Sequence, residues 1–424
     1  MTPRVPALGL ALALAAGAQE PARNLRFSAF GTLGVARSDT ALVGYRRDVT
    51  GHKGIFDKPA WDLDTRLGVQ ASGRLGENLL ATFQVVSRQR YDNTFRPDPT
   101  WATLSWTPTP GFQLRAGLLS FDNLPMGDLA NVGYTYLWVR PPVEVFGPVP
   151  LSRMRGLDAE RTFLLDSGAA LEVKAFYGSS VDTVTVDHIG EWDLRGGRLF
   201  GGAVKFTAGG FRARLGANFF RFPNDIPEPV PSLQGYLRSF ADLLHDPGLA
   251  ASADAFGTRG RNLRSAQLSL AWESGPWQAQ GAVSHASSDN FLFQPAWSGF
   301  ASLGYRVGKV VPYAMFARNV SKRAPLPYLG ALPSLTGPLG PAARGLVDTL
   351  TTITRARGVD QGTLTAGLRW DIAPQADLKF QVDRVRSHNA TGLLYNPDPT
   401  RPDAWNGRET VVSVTLDFIL GGGR

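Results

Sequence analysis

Between Trp61 and Arg74 the chain reads WDLDTRLGVQASGR, with Trp61, Leu63, Leu67, Val69 and Ala71 on one parity and Asp62, Asp64, Arg66, Gln70, Ser72 and Arg74 on the other. A period of two is the mark of a strand with one apolar and one polar face. The same pattern returns along most of the chain in segments of about ten residues, close to what a tilted strand needs to cross a bilayer. Tight joints link these segments in pairs, at Leu75–Asn78, Pro108–Gly111, Asp166–Gly168, Ala208–Gly210, Ser274–Pro276, Val307–Lys309 and Ala373–Gln375, all rich in turn-forming residues. Longer excursions separate the pairs. Counting the segments that flank the joints predicts an all-β chain of about sixteen antiparallel strands with both termini on the short-turn side, the layout of an up-and-down transmembrane barrel.

Two excursions carry a helical period instead. Ser232 is placed to cap a helix with Leu233, Tyr236, Leu237, Phe240 and Leu244 on one face, ending before Pro247-Gly248. A second helix is expected from about Pro341 to Arg357, with Leu346, Val347, Leu350 and Ile353 apolar. Both are read as caps on the barrel rim in preference to plugs of the lumen. Trp106, Phe112, Phe211, Trp272, Trp277, Tyr305 and Trp370 lie beside the tight joints, where lipid-facing aromatics gather at the headgroups. A large soluble sandwich is the competing reading of this pattern. The arginines weigh against it, because Arg66, Arg88, Arg115, Arg212, Arg214 and Arg369 fall inside strands on the polar parity. On a lipid face near the midplane each would cost about 2 to 4 kcal/mol, so their common parity implies a watery interior.

Composition adds the compartment. Arg4, an apolar run from Leu8 to Leu14 and the small residues Ala16-Gly17-Ala18 have the form of a cleaved export signal over residues 1–18, leaving one barrel domain over 19–424. No later stretch approaches the roughly eighteen apolar residues of a helical span. The chain has no cysteine, which excludes disulfides, thiolate zinc sites and covalently attached haem. The net charge of +8 fits attraction of anions toward a pore, or of the protein toward lipopolysaccharide phosphates, as well as plain solubility.

Signals for catalysis are weak. The five histidines are scattered, and neither H-E-x-x-H, G-x-S-x-G nor a phosphate-binding glycine loop occurs, so no enzyme, metal or cofactor is expected. His285 beside Ser284 and Ser287 keeps a barrel hydrolase as a distant alternative. The basic residues are dispersed with strand periodicity, which argues against a nucleic-acid surface.

The most unusual loop runs from Phe121 to Met154 after the fifth predicted strand. Tyr134, Tyr136, Leu137, Trp138, Val143, Val145 and Phe146 are too many apolar side chains for a solvent-exposed rim. The loop is therefore expected to fold inward, with Pro141-Pro142 fixing an extended path along a wall. Its polar contribution is Asp122, Asp128, Arg140, Glu144, Arg153 and Arg155. Inside the lumen it would narrow the channel and set these charges against the wall. The wall candidates are Arg66, Arg88, Arg90, Arg115, Arg212 and Arg214, then Lys205, Arg306, Arg369 and Lys379, with Asp62, Asp64, Asp158, Glu160, Glu172, Asp371 and Asp383 as acidic partners. The basic excess predicts a mild anion preference, while neutralisation across strands is the alternative role for any one charge. Arg66 is the sharpest expectation: a lumen-facing charge whose loss changes ion selectivity and largely spares folding, either filtering solutes or only balancing Asp62 and Asp64.

Near the C-terminus, Thr363 to Asp371 (TLTAGLRWD), the turn Ala373-Pro374-Gln375 and Leu378 to Asp383 resemble the penultimate hairpin of Gram-negative outer-membrane porins. The last segment, Thr410 to Leu420, alternates Val412, Val414, Leu416, Phe418 and Leu420 against Ser413, Thr415 and Asp417, similar to the strand by which such proteins are recognised for assembly. It departs from that pattern by ending in Gly421-Gly422-Gly423-Arg424 in place of a terminal aromatic, with Phe418 as the substitute. The resemblance implies a barrel in the outer membrane of a Gram-negative bacterium, often a homotrimer, in contact with outer-membrane lipid, lipopolysaccharide and the barrel-assembly machinery. It also implies an inward loop after an early strand and passive diffusion of small hydrophilic solutes. Beside this stand two other readings, a substrate-specific channel for anions such as organic acids or phosphate, and a non-conducting interaction barrel.

Overall fold

The alternating segments close on themselves in the computed structural model, which describes residues 25–48, 53–121, 127–148, 151–322, 325–356, 358–388, 392–398 and 404–421. The segment read as an export signal lies outside the described residues. The strands are β1 (Leu25–Ser38), β2 (Arg66–Arg74), β3 (Leu79–Arg88), β4 (Asp98–Thr109), β5 (Phe112–Ser120), β6 (Arg153–Leu164), β7 (Ala170–Ser180), β8 (Thr183–Val186), β9 (Gly190–Asp193), β10 (Arg198–Ala208), β11 (Phe211–Arg221), β12 (Asn262–Ser274), β13 (Trp277–Ser288), β14 (Ala296–Tyr305), β15 (Val310–Ser321), β16 (Asp360–Ala373), β17 (Ala376–Ser387) and β18 (Arg408–Leu420). Sixteen of them form one closed antiparallel barrel, and β8 and β9 make a separate hairpin in the loop between β7 and β10. Closure is direct, since Ala29 of β1 stands opposite Val69 of β2 on one side and Leu420 of β18 on the other. Each expected tight joint is a turn between neighbouring strands, and the longer connections gather at the opposite end.

Parity decides which side chains meet lipid. In β17 and β18, Lys379, Gln381, Asp383, Ser413, Thr415 and Asp417 are buried on the inner face, while Phe380, Val382, Val412 and Val414 are exposed on the outer one. Leu33, Phe83, Leu104, Leu215, Leu268, Phe316 and Leu364 continue that exposed apolar belt. A surface so apolar over so large an area suits hydrocarbon and not water. Trp106, Trp272, Trp277, Tyr305 and Trp370 stand exposed on the outer face near the short turns, with the rings of Trp277 and Tyr305 4.6 Å apart.

Three expectations change. Strand β2 begins at Arg66, and Trp61 to Asp64 form a turn. There Leu63 leaves the lipid parity and joins Ala36, Val43, Val143, Val385 and Val411 in an internal apolar cluster, while Asp64 turns in to meet Arg140. Next, the first loop helix spans Val230–Leu244, so that Ser232 lies inside it and Tyr236 is exposed while Leu233, Leu237 and Phe240 are buried. The second helix spans Gly340–Ala356, close to its expected bounds.

A further helix, Pro247–Ala255, follows where the pattern was read as a stop. Asp246 caps it, its carboxylate accepting from the backbone N–H groups of Gly248 and Leu249, and Pro247 supplies the ready-set first turn. Asp246→Ala should cost about 1 kcal/mol, seen as faster amide exchange over 247–255 with the barrel strands unchanged.

These helices and the β8–β9 hairpin pack on Leu119, Met154, Phe176, Leu199 and Phe220, which belong to the inner parity at the long-loop ends of their strands. The inner face is thus apolar where the cap covers it and also along β15, where Val311, Tyr313, Met315 and Ala317 point inward, and polar over much of the remaining wall, a change the arginine pattern alone did not reveal. Trp192, Phe222 and Phe293 stack at its centre, with Trp192 and Phe222 5.1 Å apart.

Candidate functional site

The loop between β5 and β6 enters the barrel. Its described part, 127–148, lies against the wall made by β14 to β18 and the start of β2. Trp138 is fully buried, donating from Nε1 to Ser302 Oγ at 2.8 Å and meeting Phe300 edge-on at 5.4 Å. The Val139 N–H donates to Gln381 Oε1 at 3.0 Å, and Lys379 Nζ donates to the Gly133 carbonyl at 2.8 Å. Arg369 donates to the carbonyls of Tyr134 and Tyr136 at 2.8 and 2.9 Å. Backbone donors and acceptors that a loop would otherwise leave bare in the lumen are in this way satisfied by the wall.

The loop's own charges face that wall as well. Arg140, 1% exposed, donates to both carboxylate oxygens of Asp64 at 3.0 and 2.6 Å, to Asp383 at 2.9 Å and to Ser413 Oγ at 2.6 Å. Glu144, also 1% exposed, accepts from Gln361 at 2.8 Å and from Thr363, while Asn319 donates to its carbonyl. Burial pushes the Glu144 carboxyl above its ordinary range, opposed by those side-chain hydrogen bonds. The expectation that Arg140 and Glu144 charge the passage is therefore corrected: they anchor the loop. Val143 between them packs into the Leu63 cluster.

On either side of the loop the lumen opens into a cavity, about 410 Å³ toward the long-loop end and about 580 Å³ toward the short turns. Both are bordered by Gly127 and Phe146, so these loop residues lie between the two. Among the described residues each is lined by six basic and three acidic side chains. In the lower cavity most charges are paired: Lys205 with Glu172 at 2.9 Å, Arg212 with Glu273 at 2.6 Å, Arg306 and Arg369 with Asp371 at 2.7 Å. In the upper cavity Arg90 and Arg153 share Asp98 at 2.8 and 2.7 Å, and Arg153 also reaches Asp182 at 3.1 Å. Arg47, Arg88 and Arg96 there have no carboxylate at ion-pair distance among the described residues. Among the described residues the arginines without an ion pair thus include three in the upper cavity, where Asp48 is the nearest named counter-charge to Arg88.

The expected wall residues divide accordingly. Arg88 and Arg90 line the upper cavity, joined there by Arg153, which was expected in the loop but belongs to the wall as the first residue of β6, and Arg212, Arg214 and Arg369 line the lower, with Lys205, Arg306, Glu160 and Glu172. Arg115 faces inward and is held by Asp158 at 2.6 Å, where Lys174 joins at 3.5 Å. Arg155 does not belong to the loop; it is exposed in β6 on the parity of the outward Leu157 and opposite Leu118. Asp62 accepts from Gln89 at 3.0 Å in the turn before β2. Asp122 and the side chain of Asp128 lie outside the described residues.

Arg66 is on the inner parity but not in open lumen. It is 1% exposed beneath the loop, between Thr32 and Arg88 in the register, and its three side-chain nitrogens find no hydrogen-bond partner among the described residues. Asp64, expected to balance it, is taken by Arg140. Gly133 permits this arrangement, since a Cβ there would stand 2.0 Å from Asp417 and 2.8 Å from the Arg66 guanidinium. Arg47, Arg96 and Arg195 line the upper cavity from irregular loops, where no periodicity marks them, and the basic pair Arg46-Arg47 in a long excursion is the one signal the sequence offers.

Neither a family model nor a curated protein matches this sequence. Solved structures do. OmpF of Salmonella typhi, in a complex with daunomycin, is 11% identical, with 93% of this chain and 98% of that one covered at a TM-score of 0.54. An anion-selective porin from Comamonas acidovorans is 12% identical, covering 93% and 98% at a TM-score of 0.51. OmpT of Vibrio cholerae in a trimer form is 12% identical, covering 93% and 99% at a TM-score of 0.51. At such identities the likeness establishes the fold: this chain has the sixteen-strand barrel fold of these outer-membrane proteins.

Proposed function

We propose that this chain, having the porin barrel fold, is a passive channel for small hydrophilic solutes in the outer membrane of a Gram-negative bacterium, with a mild preference for anions. The observation that carries the proposal is the pair of charged cavities on either side of a loop that is pinned to one wall of a closed barrel. In this reading the solute passes between the pinned loop and the opposite wall, beside Gly127 and Phe146, and the firmness with which the loop is held sets the width of the passage. Anions entering from the long-loop side meet Arg47, Arg88 and Arg96 before the narrowing. At about 8 Å and an effective dielectric near 20, each charge attracts an anion by roughly 2 kcal/mol, and by about a quarter of that in bulk water. That range gives a bias and not a filter. A homotrimer belongs to the same proposal, supported by the trimer form in which a protein of this fold is described.

A specific channel for anionic solutes is the second reading, favoured by the setting of Arg88 and Arg96 beside Tyr91 and Phe121 in one cavity. Swelling of liposomes holding the purified protein separates the two. Rates that fall smoothly with sugar size support passive diffusion, saturable uptake of one organic anion supports the specific channel, and absence of swelling contradicts both.

A further inference from the structure

The β8–β9 hairpin is rooted on one side of the barrel mouth and held at its tip from the other. At the root, Val184 and Trp192 are buried in the cap cluster, where Trp192 stacks on Phe222. The tip, Asp187-His188, meets loops that rise from the far side, since β18 lies across the lumen from β7 and β10 in the closed barrel. There Arg46, in the loop after β1, donates to the Asp187 carboxylate at 2.7 Å. His188 donates from Nε2 to the Asn396 carbonyl at 2.7 Å and stacks its ring on Tyr395 at 5.5 Å, both in the loop before β18. Arg46 is itself fixed, donating from Nε to the Leu393 carbonyl at 3.0 Å, and Tyr45, Leu393 and Leu394 are buried in the Leu63 cluster.

Two features set the tip apart from the root. Its contacts are polar and partly exposed, and such contacts contribute little to stability, so they can break while the apolar root stays packed. His188 also holds a left-handed backbone, φ 60°, which glycine adopts without steric cost. A bulky ring kept in that conformation points to the contact it makes. The upper cavity lies against this bridge: Arg47 and Asp48 border it beside Arg46, and Asp182, Thr183, Val184 and Arg195 border it at the root of the hairpin.

We propose that the β8–β9 hairpin is a strap latched across the long-loop mouth, a second restriction in series with the inward loop that sets the largest solute admitted to the upper cavity. When the latch opens, the tip swings away about its Trp192 root and the mouth widens. This proposal rests on the reading that solutes pass through the lumen; the hold on the tip is measured separately from passage.

The chain has no cysteine, so R46C/D187C supplies its only thiols. The purified full-length variant is bridged with a bifunctional thiosulfonate reagent and released with reductant. Each state is followed by amide exchange over 183–193 and by swelling of liposomes with sugars of increasing size. D187A/H188G is the companion variant, which removes the carboxylate and the ring and keeps the left-handed turn. Unbridged R46C/D187C and D187A/H188G should exchange about tenfold faster or more over 183–193, with 230–255 unchanged, and should swell about twofold faster or more than the wild type with a trisaccharide. Bridging should restore both wild-type rates, and reductant should reverse it. Faster exchange with unchanged swelling overturns the proposal, because the tip then moves outside the path of the solute. Unchanged exchange in D187A/H188G overturns it too, because the latch contacts then do not hold the tip. Absence of swelling in wild type and variants alike contradicts the channel reading itself, and this size filter with it.

Discussion

Replacing Arg140 by methionine should release the inward loop from the barrel wall. The guanidinium is 1% exposed and satisfies Asp64, Asp383 and Ser413 together, so its removal leaves two buried carboxylates without their cation. Removing one partner of a buried ionic network typically costs about 3 to 5 kcal/mol, several times the cost of losing an exposed pair. The sixteen-strand ladder does not depend on this contact, so the loss falls on the loop and not on the barrel. We expect faster amide exchange over 133–146, a noisier and on average larger single-channel conductance, and unchanged heat-modifiable mobility. Adding D64N and D383N to the Arg140→Met variant should recover much of the loop's protection, because neutral side chains no longer need the guanidinium. A quiet, wild-type conductance in Arg140→Met would show that other contacts hold the loop.

Neutralising Arg47 and Arg88 together should lower the anion-to-cation permeability ratio several-fold. Both line the upper cavity and, among the described residues, neither has a carboxylate at ion-pair distance, so Asp48 in the same cavity offsets their charge only in part. Arg212→Gln is the matched control: its guanidinium is already paired with Glu273 at 2.6 Å in the lower cavity, and removing it should move the ratio little. Arg66→Gln should also fall below Arg88→Gln in effect, since Arg66 lies beneath the loop and not in the passage. The pattern is read as reversal potentials for each variant. Equal shifts for Arg88 and Arg212 would mean that the total charge, and not its pairing, sets selectivity.

Strand number, turn positions and the two faces of the wall were legible because lipid and water impose opposite demands on alternate side chains. β18 illustrates it, with Val412 and Val414 outside and Ser413, Thr415 and Asp417 inside, as the alternation required. Local turn chemistry located the short joints for the same reason. The site was less legible because its residues are assembled from distant segments. Arg140 looked like a channel charge, and only the convergence of Asp64, Asp383 and Ser413 from three places in the chain turns it into an anchor. Arg66 followed the parity rule and still missed the open lumen, since parity fixes the face and not what covers it. Leu63 and the Asp246 cap show the local form of the problem: both are set by turns at strand and helix ends, where periodicity carries no information.

The most direct measurement is the reversal potential of the purified full-length protein in a planar bilayer under an about tenfold potassium chloride gradient. A steady, ohmic current whose reversal potential has the sign for chloride over potassium is the expected result. A reversal potential of the opposite sign, or no steady current at all, would contradict a passage biased by Arg47, Arg88 and Arg96 of the upper cavity.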